Sequence, residues 1–175
     1  MLEIGFPESN EYHPFYAGYV RQVPRDVNPL DQLSRQGPAF VDFIQGLTPA
    51  QHHYAYAPGK WTIQELVLHL IDTERIFSYR ALRFAREDQS PLPGMDENHF
   101  AAHAYAHERT MPDLLEEYKA VRAATIALFR GFRPQAYTNI GIANEAPISV
   151  RALLYCIAGH ELHHLQVIRE RYLER

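Results

Sequence analysis

Four stretches of this chain repeat apolar residues at intervals of three and four, and none shows convincing alternation with the period of two that a half-buried strand requires. Such a pattern restricts the chain to an all-α fold of amphipathic helices that hide their stripes against one another. The first helix is expected to open at Asn28-Pro29, an N-cap followed by proline at the first helical position. It carries Leu30, Leu33, Phe40, Val41, Ile44 and Leu47, with a kink at Gly37-Pro38. The second follows Pro58-Gly59-Lys60-Trp61, opens on the capping box Thr62-x-x-Glu65 and runs to about Arg86. Its stripe is Ile63, Leu66, Val67, Leu70, Phe77, Ala81 and Phe84. The third starts at Thr110-Met111-Pro112-Asp113, buries Leu114, Tyr118, Val121, Thr125, Leu128 and Phe129, and is stopped by Gly131 and Pro134. Ser149 caps the fourth, which reaches Tyr172.

Four such helices make a four-helix bundle. The 24-residue connection from Glu87 to Thr110 is too long for a hairpin, and a crossover of that length across the bundle end leaves helices two and three parallel. At 175 residues the chain suits one domain over positions 1–175, a size that buries about two-thirds of the unfolded surface. A net charge of -4 and dispersed arginines give no electrostatic footprint for nucleic acid. No apolar run approaches bilayer length, and the opening Met1 to Pro7 lacks the basic and apolar regions of a secretory signal. The single cysteine, Cys156, cannot form an internal disulfide and reads as a small buried hydrophobe. The expectation is a cytoplasmic protein that acts on a small molecule, with neither membrane nor nucleic acid as partner.

Chemistry concentrates on the fourth helix, at Gly159-His160-Glu161-Leu162-His163-His164. His160 and His164 are four residues apart and lie roughly 40° from each other on one stripe, facing the core with Leu153, Ile157 and Ile168. Neutral imidazoles are common metal ligands, and this spacing supplies two corners of a site without backbone strain. The alternative is a pair of hydrogen-bonded core histidines. The same residues spell His-Glu-x-x-His, in which the glutamate of a zincin is the general base. A metzincin would need Gly at 167 and His at 170, where this chain has Val167 and Glu170, so the site must be completed from upstream.

On the second helix His69 stands at the edge of the apolar stripe, and metal sites in bundles draw on facing helices. His99, His103 and His107 recur every four residues but sit among alanines without a bulky apolar shield, and read as solvated. His13, His52 and His53 read as surface residues, and His163 as a boundary residue about 100° from His164. Glu161 falls within the apolar stripe, where an unpaired carboxylate is costly, so it requires Arg122, Arg80 or the metal site as partner.

Pro58-Gly59-Lys60-Trp61-Thr62, His69-Leu70-Ile71-Asp72-Thr73-Glu74-Arg75, Tyr79-Arg80-Ala81-Leu82, Leu92-Pro93-Gly94-Met95-Asp96 and Ala158-Gly159-His160-Glu161-Leu162-His163-His164-Leu165 resemble, in order and spacing, the DinB-like superfamily of bacterial four-helix metalloproteins. The resemblance spans about residues 28 to 172 and implies an up-down-down-up bundle and a homodimer. It also implies three metal ligands, carried over onto His69, His160 and His164. Characterised relatives bind the thiolate of a low-molecular-weight cofactor on the metal, for S-transfer or isomerisation. The expected activity is therefore a thiol-dependent S-transferase with a divalent transition metal, zinc first and nickel or iron after it. Arg80 and Arg122 are the candidates to hold the cofactor's carboxylates, with Arg83 beside them. The rivals are a metal-dependent small-molecule hydrolase with Glu161 as catalytic base, and a non-catalytic metal-binding stress-response protein.

Overall fold

In the computed structural model, which describes residues 4–173, the four expected helices are present. The first three and last two residues of the expected 1–175 unit, and with them part of the segment read for a secretory signal, lie outside it. Element order is α1 (Ala17–Val20), α2 (Pro29–Gln45), α3 (Pro49–His52), α4 (Ile63–Ala85), α5 (Glu97–His103), α6 (Met111–Arg130), the hairpin β1 (Ile140–Ala143) and β2 (Ala146–Ser149), and α7 (Val150–Val167). A π-helical stretch, Ile168–Leu173, prolongs α7.

Each long helix starts where a side chain satisfies its first amides. The Asn28 carboxamide accepts from Leu30, the Thr62 and Glu65 side chains form the reciprocal box, and Thr110 and Ser149 accept from Asp113 and Ala152. Cross-helix contacts fix the directions. Along α4 and α6 the partners advance together, Glu74 with Arg122 and Ser78 with Thr125, so these helices are parallel. Against α7, α4 runs the other way, with His69 beside His164 and Phe77 beside His160. Gln36 with Ala158 and Phe43 with Arg169 make α2 parallel to α7, and Leu33 with Arg122 and Phe40 with Tyr118 make it antiparallel to α6. The bundle is up-down-down-up, and the connection from α4 to α6 is its crossover.

Two apolar clusters form the core. One gathers Phe77, Phe84, Phe129, Leu153 and Ile157 around the lower end of α4, the other Phe40, Ile63, Leu66, Leu114 and Ile168 around its start. Between them lies a polar layer of Gln36, Glu74, Arg122, His160 and Glu161, all buried.

The period-two reading needs one correction, because β1 and β2 form an antiparallel hairpin pairing Ile140 with Ser149 and Ala143 with Ala146. Its strands are four residues each, and the turn uses Asn144 and Glu145 with φ of 51° and 61° where Asn-Gly would have been legible. Leu92 of the crossover bridges to Ala143, and Tyr12 bridges to Ile148. The hairpin thus ties both the crossover and the N-terminal segment to the bundle.

Candidate metal centre

His69 is carried by α4, and His160 and His164 by successive turns of α7, the two helices packed antiparallel. Their three ligand nitrogens lie within 4.8 Å of one another. The Nε2 atom of His160 is 3.0 Å from that of His69 and 2.9 Å from that of His164. The spacing read from the sequence therefore brings all three rings to one point. His160 is 5 % exposed, and among the described residues the converging cluster consists of histidines alone.

Burial keeps these imidazoles neutral. It pulls His69 down to about 4 and, helped by His69 and His163, His164 down to about 3. His160 is held well below its ordinary range by burial and by the neighbouring His164, His69 and His163. Neutral rings offer lone pairs, and three lone-pair nitrogens crowded together are stabilised by a shared cation better than by hydrogen bonds that only some tautomers can make. The donor set fits a divalent transition metal on three imidazoles with room for a further ligand. Among the described residues no other histidine or cysteine joins the cluster. Cys156 is fully buried and its thiol is pushed up by desolvation, while His99, His103 and His107 are exposed on or beside α5.

The centre opens on a cavity of about 310 Å³ lined by Phe15, Tyr16, Tyr19, Trp61, Phe77 and Arg80 together with the histidines. The N-terminal residues Phe15, Tyr16 and Tyr19 form one wall. Its position depends on Gly159, because a Cβ there would lie 1.8 Å from the Tyr19 carbonyl oxygen. Through that close approach the Tyr19 ring stacks edge-on to His160 and His163, with centroids 5.1 and 5.5 Å apart. Trp61 packs 4.8 Å from His69 on the opposite side. Asn144 and Met95 reach the cavity from the hairpin turn and the crossover.

The other expected site residues divide. Arg80 lines the cavity and donates to the Pro93 carbonyl at 2.8 Å. Glu161 and Arg122 do not line it; they face each other inside the bundle. The Arg122 guanidinium donates to Glu74 Oε2 at 2.8 Å and to Glu161 Oε2 at 2.5 Å, and the Tyr118 hydroxyl donates to the same Glu161 oxygen at 2.5 Å. Glu161 Oε1 is buried without a hydrogen-bond partner among the described residues. The salt-bridge partner that the apolar stripe demanded is thus Arg122. Arg83 is turned to Asp88 and Tyr79 at the surface, away from the cavity. His52, expected at the surface, is half-buried with its ring 3.0 Å from the Ile44 carbonyl.

The model of the DinB superfamily matches residues 32–168, which takes in all of α4, α6 and α7, all but the first three residues of α2, and the three histidines. This chain belongs to the DinB superfamily. Among solved structures it is similar to YfiT from Bacillus subtilis, described as a probable metal-dependent hydrolase with an unusual four-helix bundle topology. The two share 20 % identity with a TM-score of 0.73, over 85 % of this chain and 90 % of that one. No curated protein matches. Among the described residues no helix is long and apolar enough to cross a membrane.

Proposed function

We propose that this DinB-superfamily protein is a metal-dependent enzyme that transfers a low-molecular-weight thiol to a small electrophilic molecule, with His69, His160 and His164 as the metal ligands. The observation that carries the reading is the convergence of three neutral Nε2 atoms at the wall of an aromatic cavity whose only carboxylate among the described lining residues is the exposed Glu97. When bound, the metal, zinc first and nickel or iron after it, supplies a Lewis acid that lowers the pKa of a thiol or water beside it. The chain does the rest. Burial holds the imidazoles neutral, the aromatic wall offers an apolar surface beside the reacting group, and the ion pair of Glu161 with Arg122 fixes α7 against α6.

A thiol suits this cavity because its anion forms near neutral pH and needs no strong base, whereas water depends more on one. Glu161 is the base that a hydrolase reading would use, and it lies outside the cavity lining, held by Arg122 and Tyr118. Hydrolysis is kept as the second reading because YfiT is described in those terms. A panel of biological thiols, assayed against a reporter electrophile with holo and metal-depleted protein, tests the proposal. Thiol-dependent conjugation that needs the metal and survives Glu161→Gln is expected. Ester or amide hydrolysis without thiol, abolished by Glu161→Gln, would overturn it.

A further inference from the structure

Arg80 is 4 % exposed, yet no carboxylate lies within ion-pair distance of it among the described residues. Buried arginines are normally paired, and in this same bundle Arg122 is held by two glutamates. The hydrogen-bond partner of Arg80 is one neutral oxygen, the Pro93 carbonyl, with the Tyr16 phenol beside it. A guanidinium carries five N–H donors, so these leave part of the fork without a protein partner, and Arg80 lines the cavity. A positive charge kept in a desolvated wall with only neutral company is an incomplete pair.

We infer that the cavity takes a small carboxylate with an aromatic or similarly flat body, its anionic group on Arg80 and its reacting end at the three histidines. The planar fork matches a carboxylate in two parallel hydrogen bonds, whereas a phosphate dianion would meet a single cation here. Arg80 and His160 both lie beside the Phe77 ring, at 5.8 and 6.4 Å from its centroid, and all three line the cavity, so a molecule packed on that ring has both within its neighbourhood. Tyr16, Tyr19 and Trp61 supply the remaining aromatic surface. A volume of about 310 Å³ admits a compact ligand. The inference rests on the three-histidine centre as the reacting end, but binding can be read without turnover.

Trp61 is the single tryptophan of the chain and lines the cavity, so its fluorescence reports occupancy directly. Holoprotein is titrated with phenylacetate and with phenylacetamide, which share the ring and shape and differ at the head group, an anionic carboxylate against a neutral amide. The carboxylate is expected to bind at least about tenfold more tightly than the amide, and Arg80→Gln to erase that preference. Equal affinities in the unsubstituted protein would overturn the inference. So would a preference that survives Arg80→Gln and disappears in His164→Ala, which would put the carboxylate on the metal. If far-UV dichroism shows Arg80→Gln unfolded, Arg80→Lys decides: it keeps the charge and loses the fork, and an undiminished preference there would overturn the bidentate assignment. Carboxylate binding without any thiol-dependent rate would refute the transferase reading and leave this one standing.

Discussion

Replacing Arg122 by methionine separates a structural ion pair from a ligand clamp. The guanidinium bridges Glu74 and Glu161, which are 5 % and 1 % exposed, and it also donates to the Leu33 carbonyl. Burial by itself would lower its pKa, but Glu161 and Glu74 raise it well above the ordinary arginine value. Methionine fills much of the same volume and leaves two buried carboxylates facing each other with no cation. Breaking a buried pair in this way costs about 3 to 5 kcal/mol. In a domain of this size each kcal/mol moves the melting temperature by about 2 to 4 °C, so a fall of roughly 6 to 20 °C is expected. Urea unfolding monitored by far-UV dichroism gives the free energy, and the double variant Arg122→Met/Glu161→Gln should recover part of the loss because it removes one of the stranded charges. A loss below about 1 kcal/mol, the range of exposed pairs, accompanied by a marked fall in activity, would refute the structural role and make Arg122 a ligand-binding residue.

Gly159→Ala forces a methyl against the Tyr19 carbonyl, and overpacking of this kind costs about 1 to 3 kcal/mol. Thermal melting should show the loss and Trp61 fluorescence a more open cavity; an unchanged melting temperature would count against the close approach. The metal-free protein should lose stability as pH falls below 6.5. Its histidines resist protonation to about 4 at His69 and about 3 at His164, while the unfolded chain binds those protons at 6.5, so the neutral-ring contribution is complete above 6.5 and disappears on acidification. Glu11 and Glu117, whose pKa values lie below the ordinary 4.5, act in the same direction only in more acidic solution, so a stability flat between pH 7 and 5 would contradict the histidine account. Sedimentation at micromolar concentration is expected to find a homodimer, and a monomer at every concentration would exclude it.

The bundle was legible because its signals are local. Asn28, Thr62, Thr110 and Ser149 mark helix starts by hydrogen bonds made within three residues, and the apolar stripes need no knowledge of what they face. The i, i+4 pair His160 and His164 was legible for the same reason, and the upstream position of His69 on the inner edge of α4 completed the triad. What escaped depends on contacts distant in the chain. The hairpin has short strands, a proline at position 147 and a turn without glycine, and its strength comes partly from Leu92 and Tyr12. The wall built by Phe15, Tyr16 and Tyr19 is set by one missing Cβ at Gly159, more than a hundred residues away. The roles of Arg80 and Arg122 were indistinguishable as two arginines on amphipathic helices, and they differ only in whether glutamates lie within reach.

Elemental analysis of purified protein reads out the proposed centre, in which three histidines on two helices hold one metal at the cavity wall. About one divalent transition metal per chain is expected, absent from His69→Ala, His160→Ala and His164→Ala and retained by His103→Ala, whose ring is exposed on α5. A His160→Ala protein that is folded and still carries its full metal content would contradict the account.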